Sequence, residues 1–495
     1  MTDRFVVLTP MAIEAAAIKR HSTAEVLRCG VGPHRVAAAA ASVADGSGPV
    51  VVAGFCGAAS SDLRPGDVVV ATEVRGEGPA RECKGAGPLA AAMRRRGLNV
   101  HLGPVASSRK LARGRMRARM AAEGVLGVDM ESAWLAPHDD RPFAVLRVVL
   151  DTPGREIPSP HNLADTYRAY RALSEAAPAL EEWAAAAGQR KVLLAGPRSF
   201  CAGVDRAIEI VEQALAKHGP PVYVRKQIVH NVHVVTDLEN RGAVFVEELD
   251  EVPPESLVVF SAHGVSPRVR AEAAERSLDV IDATCPLVSK VHAEARRFAE
   301  AGKTIFLIGH AGHEEVEGTT GHAPQAIRLI ERAEDADAVE IEDPDKVAFL
   351  TQTTLSVDEA GEIAGALRKR YPALAGPRSD DICYATQNRQ DAVKAVARSA
   401  DVVLVVGSKN SSNSCRLVEV VEKEGTPAHL IDDERDIDPI WLVGAATVGI
   451  TAGASAPESL VQQVVRALSG LGAVEVAERT TTTESIRFNL PKEVR

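Results

Sequence analysis

Aromatic residues are scarce in this chain: 3 Trp, 5 Tyr and 10 Phe among 495 residues. Positive charge is also short, with 57 Lys and Arg against 67 Asp and Glu, a net charge of −10. That balance speaks against any nucleic-acid partner, because phosphate binding needs clustered cations. Long hydrophobic runs are missing. The longest near-apolar stretch, Trp441 to Ala454, contains Gly and Thr and is too short to span a bilayer, so it reads as a buried strand and loop. The opening MTDRFVVLTPM sets Asp3 and Arg4 before a very short apolar run, unlike a signal peptide, and a cytoplasmic protein is expected. There is no P-loop, and GVGPHR at Gly30 lacks the third glycine of a dinucleotide fingerprint. No CxxC pair occurs among the seven cysteines, which argues against a zinc ribbon or a ferredoxin-like cluster. In a reducing compartment, metal binding or catalysis then outranks disulfides.

What is present is an α/β rhythm. The length implies two to four domains. Residues 1–187 alternate β-branched runs (FVVLTP, PVVVAGF, GDVVVATEV, FAVLRVVLD) with Ala-rich helical stretches, the last from about Ala164 to Ala187. At Lys191 the strand–loop–helix pattern restarts with KVLLAGPRSF. A boundary near Gly188 follows, giving domains 1–187 and 188–495.

In the second domain the chemistry-bearing residues fall at junctions. Cys201 is expected between a strand and a helix in KVLLAGPRSFCAGVDRAI, and so are Cys285 in LDVIDATCPLV and Cys383 in DDICYATQNRQ. The spacings, 84 residues (201 to 285) and 98 (285 to 383), suggest three similar modules that each lend one cysteine to a common centre. Three unrelated buried cysteines are the alternative. Against it, each cysteine sits among polar neighbours at the start of a helix, where amides and the helix dipole favour a thiolate. Three thiolates on a cubane cluster leave one iron open to a substrate hydroxyl, much as a catalytic zinc keeps an open position. Cys415, in SSNSCRL, follows an anion-type loop and is not expected to be a ligand.

Six further segments, all expected in loops after strands, carry polar side chains: HNVH (His230, His233), AHG (His263), GHAGHEEVEGT (His310, His313, Glu315), TQTTL (Thr353, Thr354), SKNSSNS (Ser411, Ser412, Asn413) and AGASAP (Ser455). Histidine, serine, asparagine, threonine and helix N-terminal amides can together hold a diphosphate without lysine. A diphosphate anchor beside an open iron implies a small diphosphate ester reduced at its far end.

FCAGVDRAI, IVHN, SAHGVSP, DATCPLV, GHEEVEGT, TQTTLSVDE, DICYATQNRQ, SKNSSNSCRL and TAGASAP occur in this order, from Lys191 to the closing IRFNLPKEVR. Together they resemble the signature of the LytB/IspH family of 4-hydroxy-3-methylbut-2-enyl diphosphate reductases. The resemblance implies a three-lobed, pseudo-threefold α/β fold around one [4Fe–4S] cluster on Cys201, Cys285 and Cys383. It implies that His230, His263, His313, Ser411, Ser412, Asn413 and Ser455 hold the diphosphate, that Glu315 is the proton source, and that Thr353, or its neighbour Thr354, orients the hydroxyl. Two electrons and two protons would expel water from the allylic alcohol, giving isopentenyl or dimethylallyl diphosphate. With no flavin or nicotinamide motif, a ferredoxin or flavodoxin is the expected electron donor. A quinolinate-synthase-like enzyme would also join three lobes through three cysteines but lacks the HEEVEGT and SSNS blocks. A zinc-binding scaffold is the non-enzymatic alternative.

In the first domain, MAIEAAAIKR, CGVGPHRVAAAAA, GFCGAASSDLRPGDVVVATEV, GVDMESAWLA and RVVLDTPG resemble nucleoside phosphorylases and nucleosidases of the methylthioadenosine/S-adenosylhomocysteine type. Carried over, Glu14 positions a nucleophilic water or phosphate, Glu131 holds the ribose of a purine nucleoside, and Asp151 protonates the leaving base. The segment from Val74 to Val128 is compressed, offers no aromatic residue to stack a purine, and is rich in Lys and Arg (SSRKLARGRMRARM). The alternative is a domain that only dimerises or stabilises the fusion.

Overall fold

The computed structural model describes residues 4–44, 46–157, 162–339 and 341–495. They form two compact units. One comprises Met1–Val192 with Asp433–Val448 and Gln462–Ala477, the other Leu193–Asp432 with Gly449–Val461 and Glu478–Arg495. No helix among the described residues is long and apolar enough to cross a membrane.

In the first unit, Val-rich runs form strands because branched side chains pack well on a pleated surface. Val50–Ala58 pairs with Phe143–Asp151, which pairs with Val68–Arg75, then Val100–Ser107, then Gly127–Asp129, which returns to Val50–Ala58. Five strands thus close on themselves. Val6–Thr9 and Glu25–Arg28 extend the sheet beside Val50–Ala58, parallel to it. The helix Asn162–Ala185 seals one face; its Trp183 is fully buried and donates to the Gly85 carbonyl at 3.0 Å.

The reductase-like part is built on parallel strands. One sheet runs Ala243–Val246, Val222–Arg225, Leu257–Phe260, Asp279–Asp282, all parallel. A second runs Ile327–Ile330, Thr304–Ile308, Val347–Thr351, also parallel. A third has the order Ala428–Ile431, Val402–Val406, Thr447–Ala452, Arg190–Gly196, Val474–Thr480. The central strands Val402–Val406, Val347–Thr351 and Thr304–Ile308 are near-continuous apolar runs, as strands covered on both faces require, and ligand-type polar segments follow the carboxyl ends of strands. Two expectations need correction. Cys383 does not follow a strand: beyond the helix Val357–Arg370 the chain makes only one isolated bridge, at Ala375, because prolines, glycine and paired aspartates break the run. Glu315, Ser412, Asn413 and His233 are not loop residues but stand in the first turns of helices.

Candidate active site

Each of the three cysteines is the N-cap of a helix: Cys201 for Ala202–His218, Cys285 for Pro286–Glu300 and Cys383 for Tyr384–Ala397. All three line one cavity. Gly203 makes room for them, since a Cβ there would lie 2.8 Å from the Cys285 sulfur and 3.8 Å from that of Cys201. The Cys383 sulfur accepts from the Thr386 amide at 3.3 Å. Burial works against the thiolate form that a helix start favours. Desolvation pushes the Cys285 thiol up to about 12 and Cys383 to about 11, and it raises Cys201 as well. The helix-start amides oppose this but do not win. Cys415 does not line the cavity, and its thiol lies 3.2 Å from the Lys409 carbonyl.

The polar end of the same cavity gathers His230, His263, His313, Ser411, Ser412, Asn413 and Ser455 from five separate segments. The His230 and His263 rings stack with centroids 4.1 Å apart, and His313 meets them edge-on at 5.8 and 6.0 Å. Burial, then the neighbouring His263, holds His230 down to about 3, and burial likewise holds His313 to about 4. His313 caps its helix by accepting the Glu315 amide on Nδ1 at 3.2 Å, which leaves a proton on Nε2 for a ligand. Ser455 donates to the His230 carbonyl at 3.0 Å and lies 3.4 Å from the Ser411 hydroxyl. Asn413 is buried, and neither its Oδ1 nor its Nδ2 has a hydrogen-bond partner among the described residues. A buried amide left open on both sides is what a polar ligand would satisfy.

Between the two ends stands Glu315. It is buried, its Oε1 accepts the Thr353 amide at 2.7 Å, and its Oε2 lies 3.0 Å from the Thr353 hydroxyl. Burial pushes its carboxyl up to about 7, against the Thr353 hydrogen bonds that favour the anion. Such a group can both hold and release a proton near neutrality. Its neighbour Glu314 differs. Burial opposes its ionisation, yet His263, 3.0 Å away, holds it below the usual range.

Three neighbours went unnoticed in the sequence. Gln352 donates to Thr354 at 2.8 Å and to Ser412 at 3.2 Å, fixing two hydroxyls of the pocket. Glu314 pairs with His263 as above. Phe488, from the C-terminal segment, lines the cavity. The TQTT block was a signal for Gln352; no local pattern marks Phe488.

In the first unit, Glu14, Glu131 and Asp151 line one pocket with Phe55. Glu14 accepts the Met11 and Phe55 amides at 2.6 and 2.7 Å, and burial pushes it up to about 7 against the charge of Arg147. Glu131 accepts the Gly32 amide at 3.2 Å. Asp151 is fully engaged: it accepts from Arg117 at 2.7 Å and from the Ile157 amide at 2.9 Å. Phe55, outside residues 74–128, is an aromatic residue that lines this pocket.

Three half-buried cysteines, a polar pocket of histidine, serine and asparagine, and one buried carboxyl group on parallel-sheet lobes define an α/β enzyme of the three-cysteine type. The chain belongs to the LytB protein family, which matches residues 192–469. A reductase named for 4-hydroxy-3-methylbut-2-enyl diphosphate in Leifsonia xyli subsp. xyli is 60% identical over 309 residues, 62% of this chain and 92% of that protein. Its namesake from Mycolicibacterium paratuberculosis is 61% identical over 308 residues, 62% of this chain and 93% of its own length. The solved E-1-hydroxy-2-methyl-but-2-enyl-4-diphosphate reductase of Plasmodium falciparum superposes with a TM-score of 0.60 at 37% identity, covering 62% of this chain and 97% of that one. The Phosphorylase superfamily matches residues 21–182.

Proposed function

We propose that the second unit reduces 4-hydroxy-3-methylbut-2-enyl diphosphate to isopentenyl and dimethylallyl diphosphate, closing the methylerythritol phosphate route. The observation that carries this is the order of groups along one cavity: three thiols, then the Glu315–Thr353 pair, then the histidines and the unpartnered Asn413. The donor set fits a [4Fe–4S] cluster, because Cys201, Cys285 and Cys383 supply three soft ligands around Gly203 and no fourth cysteine lines the cavity. When bound, that cluster supplies electrons and an iron open to the substrate hydroxyl.

The chain's own residues do the rest. His313 Nε2–H, the Asn413 amide and the Ser411, Ser412 and Ser455 hydroxyls receive the diphosphate, and its negative charge favours the charged forms of His230 and His313. With Oε1 of Glu315 held as an acceptor by the Thr353 amide, the carboxylic proton sits on Oε2, beside the Thr353 hydroxyl. Thr353 orients the substrate hydroxyl, and Glu315 supplies the proton with which it leaves as water. A second proton on the allyl anion and two electrons in all complete the balance. A ferredoxin or flavodoxin in the cytoplasm is the electron source. Anaerobically reconstituted protein should oxidise a reduced viologen only when this substrate is added; substrate-independent oxidation, or none, would refute the reading.

A second activity is favoured by one observation, that Glu14, Glu131 and Asp151 meet in a single pocket of the first unit with Phe55 beside them. We read it as a site for cleaving a purine nucleoside. Asp151 must exchange its Arg117 partner for the base before it can act as an acid. Release of free adenine from an adenosyl compound tests this, and its absence across simple and lipid-linked substrates would favour a purely structural domain.

A further inference from the structure

Arg389 lies on the helix Tyr384–Ala397 that Cys383 caps, and it is completely buried. Its guanidinium reaches out of that helix. Nε and Nη2 donate to the Ser199 carbonyl at 3.0 and 2.6 Å, and Nη2 also donates to the Phe200 carbonyl at 3.1 Å. These are the two residues immediately before Cys201. Nη1 donates to the Ala385 carbonyl at 2.9 Å and to Glu484 at 3.0 Å. Glu484 also accepts from Asn388 at 3.0 Å, and the segment it anchors continues to Phe488 in the cavity wall. The Ser199 backbone sits at φ 60°, a left-handed conformation that a serine adopts only when its surroundings impose it. Without the guanidinium, the Ser199 and Phe200 carbonyls would lose these donors, and the turn would be left to the bonds of Ser199 Oγ and Arg198 to Glu458.

We infer that Arg389 is a positioning residue for the three-thiol centre: it locks the Cys201 turn to the Cys383 helix and sets its buried positive charge beside them. This rests on the reading above, in which those thiols hold an iron–sulfur cluster. The planar fork matters as much as the charge, because only a guanidinium can serve the Ser199, Phe200 and Ala385 carbonyls and Glu484 at once. Glu484 balances that charge. Removing either partner therefore changes the local field with opposite sign, and the burial of Arg389 weakens its screening by water.

The test uses full-length protein, anaerobically reconstituted, with iron and sulfide counted and the cluster potential measured by redox titration. Arg389→Met should shift the potential negative, since reduction adds negative charge that the guanidinium no longer favours. Glu484→Gln should shift it positive with iron content retained. Arg389→Lys should keep the potential near wild type yet lose iron to a chelator about tenfold faster or more, the scale of a lost supporting contact. Opposite shifts in Arg389→Met and Glu484→Gln support the inference; shifts of the same sign, or none, overturn it. Should Arg389→Met fail to fold, the Glu484→Gln potential decides alone. A wild-type protein that takes up no cluster would instead remove the reading beneath, and this inference with it.

Discussion

At the scale of single residues, burial decides the chemistry. Glu315 and Glu314 are neighbours in one helix turn, yet burial raises the first to about 7 while the His263 contact holds the second low. Replacing Glu315 by Gln keeps its shape and removes its proton, so turnover should fall by roughly 10²–10⁴, the usual worth of a positioned acid, with cluster content unchanged. The sign with pH follows from the raised value. The acid form is complete below about 7 and is lost as pH rises through it, so wild-type turnover should decline above neutrality while Glu315→Gln lacks that limb. Steady-state rates across pH check both. Glu317→Gln is the inert control, since Glu317 is exposed. Glu314→Gln is not, because it strips His263 of its partner. The sequence marked Glu315 through its block, but nothing local distinguished Glu314 as a histidine partner or Arg389 as a clamp. Those roles exist only once distant segments meet.

At the scale of elements, the helix N-terminus recurs. Cys201, Cys285, Cys383, His313 and Ser411 are all N-caps, so five helices aim their first turns at one cavity. The strand–loop–helix rhythm made this legible for Cys201 and Cys285. For Cys383 it misled, because the chain before it is irregular. Burial keeps the thiols of Cys285 and Cys383 protonated up to about 12 and 11, so cluster uptake must release protons and should be favoured by rising pH. Cys201→Ser, Cys285→Ser and Cys383→Ser should each lose iron and activity, and Cys415→Ser should keep both; a fully loaded Cys285→Ser protein would sink the ligand assignment. Asn231 follows His230 and caps Val232–Asn240, its side chain accepting the His233 and Val234 amides at 3.1 and 3.2 Å. Asn231→Ala should cost about 1 kcal/mol in chemical unfolding. It should also raise KM more than it lowers kcat, since His230 faces the anion end.

At the scale of the whole molecule, a LytB-family part and a part matching the Phosphorylase superfamily share one chain. The fold class was readable from strand and helix periodicity in both parts, and the Val-rich runs became strands where expected. The closure of five strands in the first unit was not readable, since pairing between Gly127–Asp129 and Val50–Ala58 leaves no local trace. Nor was the membership of Asp433–Val448 and Gln462–Ala477 in that unit, which separates chain order from spatial order. If the two sites work independently, Asp151→Asn should stop purine release and leave viologen oxidation at the wild-type rate, while Cys285→Ser should do the reverse. Parallel assays on both variants check this.

The most direct measurement is product analysis after anaerobic turnover of 4-hydroxy-3-methylbut-2-enyl diphosphate with reduced viologen, wild type beside Glu315→Gln. The expected result is isopentenyl and dimethylallyl diphosphate from the wild type, one water expelled per two electrons consumed, and a slow reaction to the same products from the variant. Unchanged substrate from a cluster-loaded wild type, or equal rates from the two proteins, would contradict the account.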